Sequence, residues 1–349
     1  MATDYNSKAK VIRQTTGRAL FITSVGRCYI SRKYDIYRSD DWGATWQLDC
    51  RVPAAGWMSF AARSSLIARL LRHYIAAFQV LDDGSRVAVA SDGLYRVERG
   101  EIEMKRIFTI ARGSRPLNFA VDGSRLIFGE YGSGLESSEV FIYVSEDRGN
   151  SWHVGHRFPA GDIRHVHNIC LDPWANHYWV MVGDFDHQPG IGALSKDLRT
   201  FDWLTRGNQL SRAVGAIIKP DCLLYGTDSD RSRNYIVRLD KQSGQITKLL
   251  EVEGSSHFSA SFGPVHAIST CVEPNPVCPS RECSLYISRD GDSWNRTATY
   301  KKDLYNFTLF QFGNIVLPFS RYEQPTGIYS AQAVVGAHDL VTLLSFDAH

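Results

Sequence analysis

Two histidines, His165 and His167, stand one residue apart in the run HVHNICL. On a strand, residues i and i+2 share a face, so both imidazoles point the same way. Such a pair suits a proton shuttle, a contact to a developing oxyanion, or two metal ligands. A second i, i+2 pair, Asp184 and Asp186, sits in the loop DFDHQPG beside His187. Carboxylates so placed can hold a hydroxyl-rich ligand or a divalent cation. Glu130 and Tyr131 follow the run SRLIFG directly. A carboxylate and a phenol are both proton-transfer groups, but neighbours on one strand point apart. Arg115, Arg212 and Arg321 lie at three further strand ends or loops, with Tyr322 next to the last, and His257 opens another run. Guanidiniums clamp carboxylates or phosphates through paired N–H donors. Gathered at one place, these residues would do acid–base work on a polar, acidic ligand.

What must gather them is a repeat. Seven short segments are alike: DIYRSDD (35–41), GLYRVER (93–99), FIYVSED (141–147), GALSKD (192–197), YIVRLDK (235–241), SLYISRD (284–290) and GIYSAQA (327–333). They recur at intervals of 43–58 residues. Short Val/Ile/Tyr-rich runs with Gly, Asp and Asn between them are strands, and this period is that of propeller blades. One unit parses as four strands: HVHNICL, YWVMVG, IGALS and FDWLTR. The expected fold is therefore all-β: a single-domain propeller of seven blades over 1–349, its termini completing one blade together. One stretch breaks the period. Residues 59–73, SFAARSSLIARLLRH, place Leu66, Ile67, Leu70 and Leu71 on one side of a helix and Arg63, Arg69 and Arg72 on the other. That predicts a short helical insertion, either capping the propeller or laying a basic face on a membrane surface.

A turn signature follows the third strand. Residues 145–152 read SEDRGNSW and 39–46 read SDDWGATW, with shortened forms SRDGDSW (288–294) and SKDLRTF (195–201). This pattern resembles the Asp-box, or bacterial neuraminidase repeat, of sialidase-like β-propellers. The resemblance implies the propeller fold and glycan chemistry. It also implies that the boxes lie on the face opposite the site, and that a Tyr–Glu pair serves as nucleophile and base. With the boxes on one face, inner-strand starts and second-to-third strand loops ring the other mouth of the channel. All the residues named above are expected there.

The bulk properties exclude other classes. The net charge of +2 supplies no field for nucleic acid. The N-terminus has no apolar leader core, and seven scattered cysteines read as reduced thiols; both predict a cytoplasmic protein, peripheral at the inner membrane if the helix docks there. In CVEPNPVCPSREC (271–283) the cysteines read as loop thiols. No dinucleotide, phosphate-loop or nucleophile-elbow motif is present, so no cofactor is expected, a divalent metal at the acidic and histidine positions apart. The leading expectation is a glycan-active enzyme, a glycoside hydrolase or polysaccharide lyase, that cleaves an acidic saccharide. His165 or His167 and Tyr131 would transfer protons, and Arg115 and Arg212 would orient the acid group. Two other classes stay open: a cytosolic glycosyltransferase or sugar-modifying enzyme of surface-polysaccharide synthesis, and a non-catalytic propeller scaffold.

Overall fold

The computed structural model describes residues 9–53, 65–90, 92–132, 138–185 and 187–346. Its strands form six hydrogen-bonded sheets that divide into seven successive antiparallel four-stranded units: four are separate sheets, one carries Phe319–Ser320 parallel beside it, and two are joined where Cys271 and Val272 pair with Asn314 and Gly313. The inner strands of blades 1 to 6 are Arg18–Ile22, Ala77–Val80, Ala120–Asp122, His165–Leu171, Ile217–Ile218 and Ser256–Phe262. Blade 7 runs Gly313–Val316, Thr326–Gln332, Leu340–Phe346, and then the N-terminal strand Ala9–Thr16, which pairs from Ala9 opposite Phe346 to Thr16 opposite Leu340. The two ends of the chain thus share one blade, as expected. Blade 4 matches its parsed strands: His165–Leu171, His177–Gly183, Gly190–Ser195 and Phe201–Arg206.

The core is divided among the blade interfaces. Strands buried on both faces read as continuous apolar runs, with alternate residues serving opposite neighbours. In blade 4, Tyr178, Val180 and Val182 pack with blade 3, while Trp179 and Met181 pack with blade 5. Equivalent clusters join blades 1 and 2, 2 and 3, and 5 and 6. A last cluster, with Ile30, Ala267, Leu285, Ile315 and Tyr329, joins blades 6, 7 and 1 and closes the ring. Each large apolar side chain buried in these seams contributes about 1.5–3 kcal/mol.

The box turns are built as their residue types require. Asp147 accepts from the Ser151 amide at 2.8 Å and from its hydroxyl at 2.7 Å, and Ser145 Oγ accepts from the Gly149 amide at 2.7 Å. Those donors hold the Asp147 carboxyl down to about 2. Trp152 donates to the Gly149 carbonyl at 3.1 Å and packs on Phe108 and Phe128, pinning the turn over the seam between blades 2 and 3. The turn of Asp41 repeats the carboxylate pattern with Thr45. Gly149 has φ +93°, and a Cβ there would stand 2.4 Å from Ile107 Cδ1. Gly149→Ala is therefore expected to cost about 1–3 kcal/mol, read as a lower urea midpoint at unchanged slope; no loss would mean that the turn relaxes freely.

Two expectations are corrected by the fold. The segment GIYSAQA lies in the second strand of blade 7, not the third. The loop before it, carrying Arg321 and Tyr322, therefore hangs on the box side. Tyr322 packs on Trp42 of a box turn at 5.2 Å, and Arg321 reaches Asp82 at 3.5 Å in the first turn of blade 2. The inserted helix is described from residue 65 and runs Ser65–Leu70. Its faces are the reverse of those expected. Arg69 is buried, pairing with Asp303 at 2.8 Å and donating to the Phe310 carbonyl. Leu66, Ile67, Leu70 and Leu71 face outward, 37–46% exposed. Arg63 lies outside the described residues. Arg72, at φ 52°, ends the helix in the left-handed conformation and turns the chain inward to Tyr74.

Candidate functional site at the channel mouth

Each inner strand begins at the mouth opposite the boxes, so the residues leading into it form a ring. Arg18, Tyr74, Arg115, His165, Arg212, His257 and Phe312 occupy these places in blades 1 to 7. Side-chain contacts run round this ring. Tyr131 lies over His165 with ring centroids 4.5 Å apart, and His165 lies 4.8 Å from His167. Phe312 touches His257 on one side and Arg72 on the other. Arg18 and Arg115 both stack on Tyr74.

Blades 4 to 6 supply a dense ionic half. Asp184, buried, meets His167 Nε2 at 3.0 Å and Arg212 and Arg164 each at 3.2 Å, and His165 Nε2 lies 3.4 Å away. Arg212 also reaches Asp228 at 3.3 Å and Asp230 at 2.7 Å. Asp228 meets His257 Nε2 at 3.3 Å, and Glu273 lies 3.8 Å from that nitrogen. Burial opposes charge on Asp184, but His165 and His167 hold it far below the usual carboxylate range. Burial also opposes charge on His257, yet Cys271 and Asp228 raise it well above an ordinary histidine. His165 goes the other way: burial keeps it neutral despite Asp184. Burial likewise raises the Tyr131 phenol, with His257 pulling it down and Asp228, Asp184 and Glu273 pushing it up.

His167 carries the most informative geometry. Its Nδ1 stands 2.9 Å from the Ala213 carbonyl and its Nε2 3.0 Å from Asp184 Oδ1. Both partners are acceptors, and a neutral imidazole has one N–H to offer. The arrangement is complete only with a second proton on the ring or a proton shared with Asp184. His165, by contrast, has neither ring nitrogen in a hydrogen bond. Gly183 makes the packing feasible: a Cβ there would stand 2.7 Å from His167 Cε1. Gly183→Ala is expected to push His167 off Asp184 at a cost of about 1–3 kcal/mol, with His167 ring resonances shifted in NMR; unchanged resonances would show that the strand absorbs the methyl.

Of the sequence-predicted residues, His165, His167, Tyr131, Asp184, Arg212 and His257 come together here. Glu130 points away, accepting from the Phe141 amide and the Tyr143 hydroxyl. Arg115 stands on the cationic half of the mouth, and Arg321 and Tyr322 on the opposite face. His187 is exposed, its carbonyl taken by Arg206. Asp186 lies outside the described residues. The sequence reading missed Arg18, Tyr74, Cys271 and Glu273. Cys271 is no loop thiol: it lies within the buried strand Val265–Val272, 3.6 Å from His257 Nε2, and burial pushes its thiol up to about 11.

Two donor sets match metal ligands by type: His165, His167 and Asp184, and His257, Cys271 and Glu273, each within 4.8 Å. In the first, the guanidiniums of Arg212 and Arg164 already neutralise Asp184 where a cation's charge would fall. The second offers a thiol held protonated by burial and an imidazole held charged.

No protein-family model matches the sequence, and no curated protein is significantly similar. Solved structures do match in shape. A chain of the mitotic checkpoint complex is 9% identical with TM-score 0.58, covering 100% of this chain and 98% of that one. The WD40 β-propeller domain of Doa1 is 11% identical with TM-score 0.52, covering 99% and 97%. Puromycin hydrolase is 9% identical with TM-score 0.55, covering 91% of this chain and 53% of its own. The chain is a β-propeller. At such identities the likeness extends to the fold alone, so function rests on the mouth.

Proposed function

We propose that the mouth is the active site of a glycan-active enzyme that cleaves an acidic saccharide by acid–base chemistry, most simply by β-elimination. One observation carries this reading: Tyr131 lies over His165 with ring centroids 4.5 Å apart, burial pushing the phenol up and the imidazole down, with the His167–Asp184–Arg212 network behind them. Pairs of titratable groups pushed apart by their surroundings are what acid–base catalysis uses. Tyr131 is the more accessible of the two and meets the ligand. Turning aside, it opens a ring nitrogen of His165. That nitrogen takes the proton beside the uronate carboxylate, the electron pair forms the carbon–carbon double bond, and the glycosidic C–O bond breaks. The leaving oxygen takes the Tyr131 proton, and the phenolate regains it from His165. Arg115 orients the acid group. The resemblance of the box turns to sialidase-like propellers supports a glycan as ligand.

A second reading has its own observation. The outward apolar side chains of the helix Ser65–Leu70 lie a few residues before Tyr74 at the rim. They favour a transferase or sugar-modifying enzyme working on a membrane-held acceptor.

The test is incubation with uronic acid oligosaccharides in ¹⁸O-water. Elimination gives an ultraviolet-absorbing unsaturated end with no label. Label in the new reducing end would replace elimination by hydrolysis. No product from any acidic saccharide would reject cleavage and leave the transferase and scaffold readings.

A further inference from the structure

The other half of the mouth is cationic and has no part in the ionic network. Arg18 opens blade 1, Arg115 leads into blade 3, and between them Tyr74 leads into blade 2. The Arg18 guanidinium stands 4.5 Å from the Tyr74 ring centroid and that of Arg115 stands 4.2 Å from it. Arg18 is 9% exposed, and its Nε has no hydrogen-bond partner. Arg115 spends one nitrogen on the Arg72 carbonyl at 3.3 Å. Among the described residues neither Arg18 nor Arg115 forms an ion pair; Asp339 acts on Arg18 only through space. Two guanidiniums stacked on one phenol, Arg18 buried and Arg115 half-buried, with no carboxylate paired to either, are short of an anion. We propose that Arg18, Tyr74 and Arg115 form an anion-binding subsite of the mouth, taking a carboxylate or phosphate oxyanion between the two guanidiniums beside the phenol.

The phenol gives this subsite a signature. Burial raises Tyr74, but Arg115, Arg18 and Arg72 together pull it below its ordinary value, to about 8. The groups that face it are those three arginines, from blade 1, the segment after the helix and the lead into blade 3; His73 beside it is kept neutral by burial and by Arg115. Near pH 8 a phenolate serves as part of the missing counter-charge. An entering oxyanion takes over that role, the phenolate is repelled, and Tyr74 takes a proton from solvent. Binding is therefore coupled to proton uptake at pH 8 and uncoupled at pH 6, where the phenol is already protonated.

This inference rests on the mouth being a ligand site, not on the cleavage reading. The experiment is calorimetry of the full chain at pH 8, in buffers of different ionisation enthalpy, with three probes: a galacturonate trisaccharide, inorganic phosphate and a neutral glucose trisaccharide. One or both anions are expected to bind, the neutral sugar at least tenfold more weakly, with up to half a proton taken up and tyrosinate absorbance falling. The tighter anion identifies the source. Arg115→Gln is expected to weaken binding at least tenfold, and Tyr74→Phe to retain binding without proton uptake. His167→Asn is expected to leave anion affinity within about threefold even if cleavage is lost. Equal binding of the neutral sugar, no binding of either anion, or unchanged affinity in a folded Arg115→Gln protein would overturn the subsite. Proton uptake persisting in Tyr74→Phe would remove Tyr74 from it.

Discussion

Asp184→Asn is expected to destabilise the protein by about 3 kcal/mol, at the lower end for breaking a buried ionic network. Asp184 is the one carboxylate that His165, His167, Arg164 and Arg212 all share. Asparagine keeps the shape but turns an N–H₂ donor toward groups that are themselves donors. Arg212 retains Asp228 and Asp230, which limits the loss, whereas His167 keeps only the Ala213 carbonyl. Urea unfolding at pH 7 reads the effect directly. A change under about 1 kcal/mol would mean that water, not protein, compensates these charges. The pH dependence has a defined sign. Asp184 is held below its unfolded value of about 3.9, so its stabilisation is full above that and is lost as pH falls further. His165 is held below the unfolded value of about 6.5, so folding must pay for keeping it neutral once pH drops past that point. His257 is held above it, so its contribution is full below about 6.5 and disappears as pH rises through the raised value. Wild-type stability should fall on both sides of neutrality, and His257→Gln should remove the fall that begins at about 6.5, leaving the loss at higher pH where buried thiols such as Cys28, Cys50 and Cys283 ionise only on unfolding.

Much of this arrangement was legible in the residues. The boundaries of blade 4 follow from strand periodicity, because both faces of that blade are buried and its turns carry Gly, Asp and Pro; His165 and His167 meet as their spacing suggested, although the register of the strand shifts at His167. Three features were not legible, each for a physical reason. GIYSAQA has the composition of the third strands but is the second strand of blade 7, so it fitted the repeat one strand out of place and carried Arg321 and Tyr322 to the wrong face. The helix Ser65–Leu70 looked like a basic amphipathic surface, because periodicity reveals two faces without saying which turns inward; Asp303, more than 200 residues later, decides that by burying Arg69. Arg18, Tyr74 and Glu273 stand alone in sequence and acquire meaning only when the ring brings inner-strand starts and loops together. In a propeller the chemistry-bearing positions are set by blade order, and local motifs mark the opposite face.

Tyr131→Phe is expected to lower kcat/KM on an acidic oligosaccharide by about 10²–10⁴ while leaving stability nearly unchanged. Phenylalanine keeps the ring packed against His165 and removes only the proton to be delivered. The pH profile separates this from a packing role. Activity requires neutral His165 and protonated Tyr131. Burial pushes the first below its ordinary value and the second above its own, so the wild-type profile should be a wide plateau across neutrality. Its acid limb reports His165 and its alkaline limb Tyr131. In Tyr131→Phe the residual activity should keep the acid limb and lose the alkaline one. In His165→Gln the acid limb should go instead, with a loss of similar size. If Tyr131→Phe retained the alkaline limb, Tyr131 would be a rim aromatic and the leaving oxygen would need another acid. His257 would then be the next to replace, since Asp228, 3.3 Å from its Nε2, raises it against the pull of burial.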